Sequence, residues 1–314
     1  SMAALRAVGG WRAALPAARA GARAGRPLAA RSAASLTAAQ RARAVVPAYW
    51  RDVDFRREDK SPLCSDRLAG AFVEALLPAD EKAALEASPE PEVEADVAGA
   101  HTAFIDRMVL DAVGRRLRQV VLLGAGLDSR PYRMDLPPQL KILEVDEEPV
   151  LAAKRRVLES AGERARCIVR HVSASERFGE AAELPSEAIA AALDLRRPSL
   201  FVLGNLLDAW PHSLHAEALG VVATLAGSGS RLLAPIRGGP ASAQEAKAAL
   251  EQAGWSRVDV VGEAALSRLL YRAPPNDVAQ ILVAERGAAS MPGRPAPERT
   301  KPVGGAGGPV EASL

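Results

Sequence analysis

The sequence predicts an α/β fold, a mostly parallel seven-stranded sheet with helices on both faces and a helical cap at its N-terminal side. Three observations carry this prediction. Short apolar runs alternate with helical patterns from residue 119 to residue 284, the signature of an open sheet wrapped on two sides. The first run ends directly in glycines, as a strand feeding a tight turn does. The chain's 314 residues, 48% hydrophobic and 25% charged, are enough to bury one large core.

Taken in order, helical spacing appears at 66–77, 80–87 and 98–117, all ahead of the first strand, and this is the expected cap. The strand candidates follow at Gln119–Leu123, Lys141–Val145, Ala165–Val169, Ser199–Leu203, Ser230–Ala234, Arg257–Val261 and Val278–Ala284, with helical patterns in most of the gaps. No internal repeat is visible. The fold is therefore assigned to residues 46–286, with 1–45 and 287–314 outside it.

Composition sets the two ends apart. From Ser1 to Arg51 there is no Asp or Glu, while Arg6, Arg12, Arg19, Arg23, Arg26, Arg31, Arg41, Arg43 and Arg51 recur among alanines, with Leu5, Val8, Trp11 and Leu15 at helical spacing. A cationic amphipathic leader of this kind is drawn to anionic membranes and along a negative-inside potential, so 1–45 is expected to be a disordered organellar transit peptide. It would engage an organellar import machinery and deliver the chain to the mitochondrial matrix, with a plastid as the alternative address. Residues 287–314 are rich in Pro, Gly and Ala and are expected to be a disordered tail. The net charge of +2 gives no reason to expect a nucleic-acid partner, and no apolar run is long enough for stable membrane insertion. Cys64 and Cys167 lie far apart without metal-ligand spacing, so neither a disulfide framework nor a metal site is expected.

The chemistry-bearing stretch is Gly124-Ala125-Gly126 after the first strand. Glycines there let a ligand approach the backbone closely, and Asp146, at the end of the second strand, stands where a carboxylate accepts both hydroxyls of a ribose. A third glycine would be expected at the next helix, but position 129 is Ser. The pattern suits a nucleoside ligand without separating NAD from S-adenosylmethionine. It also admits a turn that only packs and an Asp that only caps a helix.

The segments RQVVLLGAGLDSRPYRMDLP (118–137) and KILEVDEEPVLAAKRRVL (141–158) closely resemble the leucine carboxyl methyltransferase-like family of S-adenosylmethionine-dependent O-methyltransferases, and weaker likeness runs from about Asp59 to Glu285. The resemblance implies a class I methyltransferase, Rossmann-like fold with S-adenosyl-L-methionine across the carboxyl ends of the first strands. Gly124 and Gly126 would face its methionine part and Asp146 its ribose, with Ala125 and Glu147 beside them. The implied reaction is O-methylation of a carboxylate or hydroxyl on a small molecule or protein terminus, with the methyl acceptor unknown. Methyl transfer is an in-line displacement that needs alignment and a dry site, and a carboxylate acceptor needs no base. No residue is therefore named as catalytic.

Three positions depart from the family. His101 stands where an arginine would grip the methionine carboxylate, so His101→Arg is expected to tighten binding. Ser173 and Ala174 stand for an Asp-Leu pair that reads adenine. Gly204 stands for an acid, in a stretch that also lacks the family's tyrosine, with Asn205 or Asp208 able to compensate. These losses keep open a second class of function, a non-catalytic binding or assembly protein that retains the fold. An NAD-linked oxidoreductase finds no acid/base pair to support it.

Overall fold

A computed structural model of the chain describes residues 36–237, 239–270 and 280–287. Most of the predicted leader, 1–35, and all of the predicted tail but Gly287 lie outside the described residues. Four helices come first: α1 (Ala38–Phe55), α2 (Ala69–Leu76), α3 (Ala79–Glu86) and α4 (Pro91–Gly114). Then come β1 (Gln119–Leu123), α5 (Arg130–Arg133), β2 (Lys141–Glu147), α6 (Glu148–Ser160), β3 (Ile168–Ala174), α7 (Phe178–Ala181), α8 (Ser186–Ala192) and β4 (Leu200–Leu203). The remainder is α9 (Leu206–Ala209), α10 (His212–Leu225), β5 (Arg231–Ile236), α11 (Gly239–Gln252), β6 (Arg257–Val261), α12 (Glu263–Leu270) and β7 (Gln280–Glu285).

The sheet has seven strands in the order β3-β2-β1-β4-β5-β7-β6, parallel except that β7 runs antiparallel to both β5 and β6. The predicted mostly parallel α/β fold is therefore observed, and the order is that of a class I methyltransferase. Strand β1 is buried along its whole length because both faces are covered. Val121 and Leu123 face a core completed by α10 and α11, through Leu219, Val222, Ala243 and Leu250. Val120 and Leu122 face the opposite core, where Phe104, Ile105 and Val109 of α4 meet Leu266 of α12. The chain order reverses beside β1, between β2 and β4, which opens a crevice at their carboxyl ends.

Helix α1 begins inside the segment assigned to the leader. Thr37 caps it, accepting from the Gln40 N–H at 3.2 Å while its own N–H donates to Gln40 Oε1 at 2.9 Å. Val45, Ala48, Tyr49 and Trp50 then join a third core with Phe72 and Val73 of α2 and with Val150, Ala153 and Val157 of α6. The fold therefore starts before residue 46; an acid-free stretch of alanine and arginine reads as a leader whether or not one face of it is buried. Strand β3 starts later than its apolar residues suggest. It is a sheet edge with Ile168, Arg170, His171 and Ser173 exposed, so it carries no continuous apolar run to mark it.

Candidate functional site

The glycine turn owes its shape to two left-handed residues, Gly124 at φ +65° and Gly126 at φ +43°. Its N–H groups are turned toward β2. Those of Gly124 and Ala125 both donate to the Val145 carbonyl, at 2.9 and 3.1 Å, and that of Gly126 donates to Asp146 Oδ2 at 2.6 Å. The turn thus brings the backbone close to a cavity without offering it these donors. Asp146 Oδ1 accepts from the Glu147 N–H at 2.8 Å. Burial pushes the Asp146 carboxyl up to about 6, against the pull of these two N–H groups.

The main cavity, about 250 Å³, lies at the carboxyl ends of β1 and β4 under α1 and beside α4. Gly124, Ala125, Gly126, His101 and Gly204 all line it, so five of the nine predicted site residues converge there. A second cavity of about 30 Å³ lies on the other side of the turn, walled by Asp146, Gly124, Gln40, Arg43, Phe178 and Gly179 among others. Phe178 and Gly179 were not anticipated. They follow β3 at the point where a residue reading a nucleoside would stand, and the misplaced β3 hid them.

Three of the predicted site residues, Glu147, Ser173 and Ala174, line neither cavity. Glu147 is held by α1, accepting from Gln40 Nε2 at 2.6 Å and from Arg43 Nη2 at 2.5 Å, so its carboxylate ties the cap helix to β2. Ser173 is exposed on the edge strand with its hydroxyl on Glu148 Oε2 at 2.5 Å, and Ala174 is half-buried beside Glu147 in the register; neither lines either cavity. Gly204 is a close-approach glycine. Its N–H donates to the Leu123 carbonyl at 2.8 Å, and a Cβ there would lie 2.6 Å from the Gly124 oxygen, so no side chain fits while the turn keeps its place.

His101 is buried, 8% exposed, with a backbone hydrogen bond to Gln280 on one side and no partner for Nε2 on the other among the described residues. Burial first, and the Arg237 guanidinium second, lower its proton affinity to about 3. It is therefore a neutral imidazole at any physiological pH. An arginine at position 101 would stand near the Arg237 guanidinium, and like-charge repulsion would work against the tighter binding expected of His101→Arg.

The rest of the charge around the cavity is largely self-contained. Arg133 holds both oxygens of Asp106 at 2.7 Å, and Arg130 Nε donates to the same carboxylate at 2.7 Å while also pairing with Asp128. Arg51 Nε donates to Asp66 Oδ2 at 2.8 Å, and Ser129 Oγ donates to Asp66 Oδ1 at 2.6 Å. Burial alone would raise the Asp128 carboxyl, but Arg130 and Lys154 hold it down at about 2. This network fixes the floor of the cavity. Among the described residues no group of three or more His, Cys, Asp or Glu is placed to hold a metal ion.

The leucine carboxyl methyltransferase family model matches residues 44–207, just over half of the 314 residues. The chain belongs to the leucine carboxyl methyltransferase family. The family match runs from within α1 through the first two residues of α9, and so takes in the glycine turn, Asp146 and His101. A Mycolicibacterium paratuberculosis (strain ATCC BAA-968 / K-10) protein named "Putative S-adenosyl-L-methionine-dependent methyltransferase" is 34% identical over 134 residues, 43% of each chain. A Mycobacterium marinum (strain ATCC BAA-535 / M) protein of the same name is 30% identical over 195 residues, 60% of each chain. The chain thus spans two fifths to three fifths of the length of the curated relatives it matches. A solved structure described as a "putative methyltransferase" from Thermobifida fusca YX is 17% identical with a TM-score of 0.48, covering 81% of this chain and 96% of that one.

Proposed function

We propose that this protein is an S-adenosylmethionine-dependent methyltransferase that methylates an oxygen, a carboxylate or hydroxyl of a small molecule or protein terminus. The observation that carries the reading is the convergence of the left-handed glycine turn, Asp146 and the crevice beside β1, in a chain of this family. Its relatives named as S-adenosylmethionine-dependent methyltransferases support the cofactor.

The residues suit that ligand at both ends. Asp146 lines the smaller cavity and keeps lone pairs beyond the two N–H groups it accepts, which suits a ribose diol. His101 lines the larger cavity as a neutral imidazole. When bound, S-adenosylmethionine supplies a methyl group on a sulfonium, already activated for displacement. What this chain supplies is position and exclusion of water: the turn fixes the approach, α1 roofs the crevice, and the paired arginines beneath hold its floor. An ionised carboxylate acceptor needs no proton removed. A hydroxyl acceptor would need a base, so a carboxylate is the simpler acceptor for this site.

A second reading has one observation in its favour. The nucleoside side is nearly closed, at about 30 Å³, by Gln40 and Arg43 reaching Glu147, which suits a binding or assembly protein that no longer turns over. Calorimetric titration with S-adenosylmethionine and NAD, followed by a search for methyl-labelled products in organelle extracts, decides between them. Methyl-labelled product supports the enzyme. Binding without product from any fraction supports the second reading, and binding of NAD alone overturns both. We propose the mitochondrial matrix as its address, with a plastid as the alternative, on the acid-free, arginine-rich stretch at the N-terminal side; full-length chain in the cytosol of its own cells would refute that proposal.

A further inference from the structure

Arg237 and Asp208 stand outside the family match, which ends at residue 207, yet both line the main cavity with His101 and the glycine turn. Arg237 follows β5 and Asp208 lies in α9, and the Arg237 backbone N–H donates to Asp208 Oδ1 at 2.9 Å, which ties the carboxylate to the end of β5 at the same cavity that the guanidinium lines. We infer that Arg237 and Asp208 form a clamp for a zwitterionic amino-acid end of the ligand, binding its carboxylate and ammonium in place of side chains at positions 101 and 204. This rests on the methyltransferase reading, since it assigns residues to the methionine part of S-adenosylmethionine.

Three features of the site point the same way. First, neither departed position can hold a charge here: His101 is neutral, and a side chain at 204 would run into the Gly124 oxygen. Second, Arg51, Arg130 and Arg133 are committed to Asp66, Asp106 and Asp128 in the cavity floor. Arg237 instead engages Glu94 of α4 through Nη1 at 2.6 Å, with both side chains 35% exposed, and its charge is felt at His101. A guanidinium held by one nitrogen keeps the rest of its fork for a second carboxylate. Third, His101 lines the same cavity, and its buried Nε2 has no partner among the described residues, so the imidazole there is an uncharged neighbour that leaves the cavity's charged contacts to Arg237 and Asp208. Asp208 is open to the cavity yet hemmed in by protein, which raises its carboxyl to about 6; an ammonium beside it would favour the ionised form.

The test compares two probes by calorimetry on the full chain. S-adenosylhomocysteine carries the amino-acid end, and 5′-methylthioadenosine carries the same nucleoside and sulfur without it. The expected result is that wild type prefers S-adenosylhomocysteine, and that Arg237→Gln and Asp208→Asn each cut its affinity by about tenfold or more while methylthioadenosine binds as before. Unchanged methylthioadenosine binding also certifies the fold. Asp208→Asn keeps an oxygen for the Arg237 N–H, and Arg237→Lys keeps a cation beside Glu94, so conservative variants are available should Arg237→Gln fail to fold. If the preference for S-adenosylhomocysteine survives these changes intact, the clamp is overturned and the methyltransferase reading stands. If wild type binds neither probe, both fall.

Discussion

The Gly126 N–H donates to Asp146 Oδ2 at 2.6 Å across twenty residues of sequence, joining the glycine turn to the acid at the end of β2. The two halves of the nucleoside pattern are thereby one unit, and the state of the acid governs both. Burial lifts the Asp146 carboxyl to about 6. Ribose hydroxyls donate to the ionised form and so favour it. Affinity for methylthioadenosine should therefore be constant above about pH 7 and fall as pH drops through 6, by up to tenfold per unit. Asp146→Asn should remove that dependence and weaken binding, at roughly 1.5–3 kcal/mol for each charged hydrogen bond lost. A flat pH profile in wild type would dismiss Asp146 as the ribose contact.

Gly126 and Gly204 are glycines for different reasons, and alanine scanning should separate them. At Gly126 a Cβ would make ordinary contact with Ala44 at 3.5–3.6 Å, so Gly126→Ala should cost only the left-handed backbone penalty, about 1–2 kcal/mol. A bulky residue there would meet α1. At Gly204 the Cβ would crowd the Gly124 oxygen, so Gly204→Ala should cost ~1–3 kcal/mol by displacing the turn, and should weaken ligand binding as well. Restoring the family's acid with Gly204→Glu should therefore fail to improve affinity. Chemical denaturation and calorimetry of the three variants check this, and a gain in affinity from Gly204→Glu would count against the close-approach account.

How much was legible in the sequence follows from where each residue's constraint lies. Strands β1 and β6 begin and end as their apolar runs do, and β1 is buried on both faces so that its run is unbroken. Strand β3 shows the opposite case, an edge whose polar outer residues erase the pattern. Helix α1 shares its alanine and arginine with the stretch before it and contains Pro47, so neither composition nor propensity announces it; its burial against α2 and α6 does. The glycine turn and Asp146 were visible because they fall in the two segments that closely resemble the family, and His101 because it falls in the weaker likeness upstream of them. Asp208 was visible only as a possible substitute. Its pairing with Arg237 spans 29 residues and exists only once β4 and β5 lie side by side.

Lys154 is the last residue of the EVDEEPVLAAK hallmark, and its ammonium donates to Glu144 Oε1 at 2.8 Å with both side chains buried. The pair bolts α6 onto β2 just beneath Asp146. Lys154→Ala should leave the buried Glu144 carboxylate with only His171 Nε2, 3.2 Å from its other oxygen, and cost roughly 3–5 kcal/mol, whereas Lys154→Met combined with Glu144→Gln should recover much of that loss. Urea denaturation of the single and double variants tests this. If the double variant is as unstable as the sum of its parts, the two residues are not acting as a pair.

Arg43 is the most direct route to asking whether α1 is a fixed roof or one that yields. Its guanidinium reaches Glu147 at 2.5 Å, lies over Gly179 and walls the smaller cavity, so it stands in the way of a ribose and base entering from that side. A site competent only part of the time binds more weakly in proportion to that fraction, and loosening the latch removes the penalty. Arg43→Ala, and Gln40→Ala to a lesser degree, should therefore raise the association rate of methylthioadenosine severalfold in stopped-flow measurements. If α1 recloses over the bound nucleoside, dissociation should quicken as well and the equilibrium affinity change little. A faster on-rate with unchanged off-rate would mean that α1 stays displaced once the ligand is in. Unaltered association in both variants would show that α1 is not the barrier and that the nucleoside enters from the larger cavity beside β4.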